Sequence, residues 1–131
     1  MPSPSLQTII EEIGADSAAI MVPNVKEGHL FCFDSVNMPQ EWIDIKNRLS
    51  EKVVGGNVEV YKSGKPAITN HHRIMLKGFY IESVMITPIK RGEKTVATLE
   101  LIHDKDNKVF IEKDLHKAKS FAKKLEIRLL Q

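Results

Sequence analysis

With 131 residues and 14.8 kDa, the chain has the length of one domain, expected to run from residue 1 to residue 131. Apolar residues make up 42% and charged residues 27%, which excludes disordered and fibrous classes. Lys plus Arg is 19 against 17 for Asp plus Glu, so the net charge of +2 lacks the basic excess of a dedicated nucleic-acid binder, and the single Cys32 excludes an internal disulfide or a thiolate metal cluster.

No apolar run approaches the roughly 18 residues needed to span a bilayer, and the N-terminus lacks a basic region followed by an apolar one. A cytoplasmic location is expected, with neither membrane nor nucleic acid as partner.

Ser3 and Pro4 suit an N-cap and first helical position, and Leu6, Ile9, Ile10 and Ile13 recur at helical spacing before Gly14. Ser17–Val22 and His29–Ser35 read as a strand pair around a turn at 23–28, with Phe31 and Phe33 on one face and Leu30, Cys32 and Asp34 on the other. After Pro39, a second helix places Trp42, Ile45 and Leu49 on its apolar side and Glu41, Asp44, Lys46 and Arg48 on its polar side.

Gly55-Gly56 and Gly64 with Pro66 bracket a helix of about two turns. Ala67–Thr69 is a short strand, and residues 70–81 show no clean period, so a structured loop or broken helix is expected. Ser83–Lys90 and Thr95–Asp104 form a hairpin through Arg91-Gly92-Glu93. The chain ends in a long helix on which Leu115, Ala118, Ala122, Leu125 and Leu129 step by three and four. This order gives an α+β domain on an antiparallel sheet.

Several stretches then resemble a GAF domain, the small-molecule-sensing module of signalling proteins. They are Gly55-Gly56 through Gly64-Lys65-Pro66-Ala67-Ile68, Ser83–Ile89, Val96–Leu101 and Phe110–Leu115. The resemblance covers nearly the whole chain. It implies a central antiparallel sheet of about six strands, terminal helices on one face, and a ligand pocket on the other under the middle helices and loop. Ligands in such domains include cyclic nucleotides, tetrapyrroles, haem and amino acids, and the fold selects none of them.

Departures from family patterns narrow this list. Asn107-Lys108, Phe110 and Asp114 partly resemble the cyclic-nucleotide motif, but Leu115 replaces its final Glu and the spacer is short. A polar turn followed by a helix start accounts for the same residues. The GAF-fold reductase of free methionine sulfoxide needs two or more cysteines, and bilin attachment needs an accessible one, whereas Cys32 lies mid-strand.

Within the expected pocket, alternation along Thr95–Asp104 puts Thr98, Glu100 and Ile102 on one face and Ala97, Leu99 and Leu101 on the other, which must meet the terminal helices. Glu100 therefore faces the pocket. A carboxylate there is costly unless paired, so it favours a cationic or amino-bearing ligand, or a local Lys or Arg. Thr87 is a candidate on the partner strand, and Asn57, Tyr61, Phe79 and Tyr80 on the roof offer rings and hydrogen-bonding groups.

His71 and His72 sit in the rim loop, where an imidazole could ligate haem iron or a metal, although no metal spacing accompanies them. The same side chains also suit packing or bracing. No Ser-His-Asp order, phosphate loop or carboxylate pair stands out, so no catalytic residue, metal or cofactor is assigned.

The expectation is a small-molecule sensor or regulatory domain of a signal-transduction protein, such as a sensor histidine kinase, acting through its terminal helices. Its alternatives are a ligand-free domain that forms a homodimer or docks a protein through Leu115, Ala118, Ala122, Leu125 and Leu129, and a haem or enzymatic protein using His71 or His72.

Overall fold

The computed structural model describes residues 4–24, 29–52 and 55–130, the last five of these by backbone only. Helix α1, Leu6–Ile13, buries Leu6, Ile9, Ile10 and Ile13 and ends at Gly14. Its cap is Ser5, whose hydroxyl accepts the Thr8 amide at 3.1 Å, while Ser3 lies outside the described residues. An eight-residue helix is marginal alone, so packing holds it.

Strands β1 (Ser17–Pro23) and β2 (Leu30–Val36) pair as the sequence predicts. Residues 25–28 of the intervening turn lie outside the described residues. Helices α2 (Gln40–Glu51) and α3 (Gly56–Ser63) follow, then β3 (Ala67–Thr69). A Cβ on Gly56 would meet Ile86 Cδ1 at 2.9 Å, so a glycine is what lets α3 begin this close to the sheet.

Residues 70–81 are neither plain loop nor broken helix. They contain a hairpin, β4 (Ile74–Leu76) with β5 (Phe79–Ile81). Its two central residues, Lys77 and Gly78, have φ of 51° and 78°, the signs a type I′ turn demands. Strands β6 (Ser83–Arg91) and β7 (Lys94–His103) form the long hairpin, and α4 (Glu112–Leu130) closes the chain. Asp114 Oδ2 accepts the Ile111 amide at 2.9 Å, the returning half of a capping box.

The main sheet has five antiparallel strands in the order β2-β1-β7-β6-β3, where the resemblance implies about six, and β4-β5 stands apart as its own pair. Central β7 presents Ala97, Leu99 and Leu101 to α1 and α4. They join Ala18, Ile20, Met85 and Ile89 in one apolar core that includes Leu115, Ala118, Ala122 and Leu125 of α4. Each such Leu or Ile contributes about 1.5–3 kcal/mol through burial. The opposite face of β7 looks toward α2, α3 and the small hairpin.

Candidate functional site

A cavity of about 400 Å³ opens on that opposite face. Its floor is Glu100 of β7 with Val84 and Ile86 of β6, and its walls come from α2 (Trp42, Lys46, Leu49, Ser50) and the start of α3 (Gly55, Gly56, Asn57, Glu59). Ala67 and Thr69 of β3, with Ile74, Leu76 and Ile81 of the small hairpin, complete the enclosure, and His72 sits at the rim. This size suits a small organic molecule.

The polar floor is a chain of buried groups. Lys46 Nζ donates to Glu100 Oε1 in an ion pair whose side chains are only 5% and 8% exposed. Asn57 Nδ2 donates to Glu100 Oε2 at 3.3 Å, and Thr98 Oγ1 donates to Asn57 Oδ1 at 2.8 Å. The sequence places Lys46 on the polar side of its helix. In the structure the buried row is Trp42, Lys46 and Ser50, each four residues apart, while Leu49 is 39% exposed. Lys46 is thus the local cation that a buried Glu100 requires, and the Trp-Lys-Ser row at steps of four was its signal in the sequence.

Of the eight ligand-contact candidates, the cavity gathers Asn57, His72 and Glu100. Tyr61 packs instead on Met21, Leu30 and Val58. Phe79 packs on Trp42 with its ring tilted by 31° and the ring centroids 5.9 Å apart. Thr87 is corrected to the helix side, because it pairs with Leu99 and directly opposed residues share a face. There it borders a smaller hollow of about 240 Å³ with Lys90, Lys119 and Lys123.

The reason is an irregularity in the hairpin between Ile89 and Lys90. Near the turn, Lys90 opposes Thr95, but beyond it Ile89 opposes Ala97, so Val96 is the extra residue. Such a bulge reverses which side chains share a face.

His71 and Tyr80 form a separate cluster on Glu82, whose carboxylate is buried. His71 Nδ1 lies 2.7 Å from Glu82 Oε2, the Tyr80 hydroxyl donates to Oε1 at 2.6 Å, and Arg73 Nε lies 3.5 Å from Oε2. The Tyr80 bond, then the His71 bond, hold the Glu82 carboxyl below its ordinary range. In return the carboxylate pushes the Tyr80 phenol up to about 12.

Next to this cluster, the rim is tied to the start of α4. Asn70 Nδ2 donates to the Phe110 carbonyl at 3.0 Å and Asn70 Oδ1 accepts the Phe110 amide at 2.9 Å. Ser83 Oγ accepts the His71 amide and donates to the Lys108 carbonyl at 2.7 Å.

Cys32 is half-buried, and burial pushes its thiol up, away from a reactive thiolate. Among the described residues no group of three or more His, Cys, Asp and Glu side chains gathers to hold a metal, and no helix is long and apolar enough to cross a membrane. On α4, Leu115, Ala118, Ala122 and Leu125 are committed to the intramolecular core, and the side chain of Leu129 lies outside the described residues.

An antiparallel sheet with chain-end helices on one face and a roofed cavity on the other is the arrangement the resemblance implies, though with five strands in place of about six, and the GAF domain family matches residues 3–129. The chain belongs to the GAF family. No curated relative matches it in sequence. Among solved structures, it is similar to the GAF domain of a phosphoenolpyruvate-protein phosphotransferase from Acinetobacter, with a TM-score of 0.73 at 13% identity over 92% of this chain and 74% of that one. A domain assigned to a two-component sensor histidine kinase protein of Sinorhizobium meliloti aligns with a TM-score of 0.70 at 12% identity, over 95% and 85%. A type II free methionine-R-sulfoxide reductase from Thermoplasma acidophilum aligns with a TM-score of 0.71 at 14% identity, over 93% of this chain and 84% of that one. At these identities the likeness to other GAF domains is one of fold.

Proposed function

We propose that this chain is a small-molecule-binding regulatory GAF domain of a signal-transduction protein. The observation that carries the reading is the cavity of about 400 Å³ with a buried, hydrogen-bonded polar floor. Buried polar networks weaken a fold unless fully satisfied, so a hollow built around one suits recognition better than packing.

The link from Asn70 to Phe110 gives occupancy a route to α4, because the rim residue His72 lies two positions from Asn70 and Phe110 precedes the helix. A ligand shifts that helix only by binding one arrangement better than another, typically by about 1–3 kcal/mol.

Regulation is favoured over catalysis by the lone, half-buried Cys32, whose thiol is pushed up. The docking alternative lacks the side chains first assigned to it, since four of them are enclosed in the core. Equilibrium dialysis of the purified chain against a cell extract, followed by mass spectrometry, tests the reading. A retained compound should raise the melting temperature with the logarithm of its concentration. Recovery of no compound would sink ligand binding.

A further inference from the structure

The cavity floor carries two full charges that cancel. Among the described residues, Lys46 Nζ has Glu100 Oε1 as its one hydrogen-bond partner, so two of its three N–H groups remain for an acceptor. Glu100 has its oxygens engaged by Lys46 and by Asn57 at 3.3 Å, the latter a long bond that leaves room for a further donor. The remaining charged residue of the lining is Glu59, which is exposed, together with the titratable His72 at the rim.

An anion settling on Lys46 brings a second negative charge beside Glu100. A cation settling on Glu100 brings a second positive charge beside Lys46. Either leaves a net charge against the apolar lining of Ile81, Val84 and Ile86, where burial penalises it. A head with zero net charge that carries an acceptor next to a donor serves both groups and leaves their pairing intact.

We propose that the cavity selects molecules of zero net charge whose head sets a hydrogen-bond acceptor beside a donor, with an apolar body lying on Val84 and Ile86. This rests on the ligand-binding reading above and adds its chemical class. Two sources share the chemistry, a zwitterionic amino-acid head and the cyclic amide edge of a nucleobase.

The test is calorimetric titration of the purified chain with the protein amino acids and the free nucleobases. Each amino acid is matched by the carboxylic acid lacking its amino group and by the amine lacking its carboxyl group. At least one head of zero net charge should bind, and a bound amino acid should do so about tenfold or more tightly than its matched acid and amine. The arm that binds names the source. An acid or amine binding as tightly as its parent overturns the proposal, and so does silence in both arms. If extract dialysis still recovers a compound in that case, the sensing reading stands and only the class falls.

Charge variants read the same point. Glu100→Gln leaves Lys46 as the buried charge and should move preference toward the acids by about tenfold, and Lys46→Met should move it toward the amines. The double variant Lys46→Met with Glu100→Gln removes both charges and guards against a fold lost through one unpaired group. It should keep the circular dichroism spectrum while losing the discrimination, and unchanged discrimination in it overturns the proposal.

Discussion

The two faces of β7 are built from one alternating run of residues yet are stabilised in opposite ways. On the helix side, Ala97, Leu99 and Leu101 meet α1 and α4 in one apolar core. On the cavity side, Thr98 and Glu100 hold a chain of buried polar groups beside a hollow of about 400 Å³. A sheet seeking only stability would fill both faces. The difference teaches that the helix side secures the fold, while the other side gives up packing to keep a polar floor within reach of a guest.

The sharpest way to break this contrast is to unpair the floor. Glu100→Ala leaves the Lys46 ammonium buried without its counter-ion and should destabilise by about 3–5 kcal/mol in urea unfolding. Replacing both partners, Lys46→Met with Glu100→Leu, should bring stability back to the starting value or above it while abolishing ligand binding. Leu99→Ala on the helix side should cost about 2–5 kcal/mol by leaving a cavity in a fully buried site. Its signature differs from that of the floor, because ligand preference among the molecules that remain folded should be unchanged.

These two faces were also unequally legible in the sequence. The helix side follows from periodicity alone, since Leu6, Ile9, Ile10 and Ile13 on α1 and the three-four stepping of α4 both point at the odd positions of β7. Glu100 was legible on the other side for the same reason. Lys46 is harder to read, because hydropathy assigns a lysine to solvent, and the four-residue step from Trp42 to Ser50 that marks it says nothing of its partner 54 positions away. Thr87 was assigned to the wrong face because one extra residue, Val96, changes the register in a way no local pattern announces. The β4-β5 hairpin is illegible because three-residue strands show no period, and its turn opens on Lys77 where Asn or Asp is the usual signal.

A smaller effect separates the faces by acid sensitivity. His103 extends the helix side, stacked on Phe110 at a centroid distance of 4.1 Å. Burial holds its imidazole below the ordinary 6.5, against the opposing pull of Asp16. The folded state therefore takes up its proton less readily than the unfolded chain, so the stability it contributes is complete above about 6.5 and is lost as the pH falls below that value. Urea midpoints measured between pH 7.5 and 5, on the order of half a unit apart, should decline in the parent chain and decline less in His103→Gln. Equal slopes would show that this histidine does not titrate across folding.

The smallest expected change in stability lies where the two faces communicate. Asn70 is exposed, and its amide makes both hydrogen bonds to Phe110, so Asn70→Ala should cost only about 1 kcal/mol. Its effect on signalling should be out of proportion to that figure. Phe110 belongs to the helix-side core, while Asn70 sits two positions from the cavity rim, so the pair joins an element that a ligand touches to one that it does not. Hydrogen exchange at the amides of residues 110–116 should slow on ligand binding in the parent chain, because closing the rim restrains the start of α4 through these bonds. In Asn70→Ala the ligand should still bind within about threefold of its parent affinity, yet leave that exchange unaltered. If protection persists without the amide, coupling runs instead through the shared strand β7, and the two faces are joined by the sheet itself.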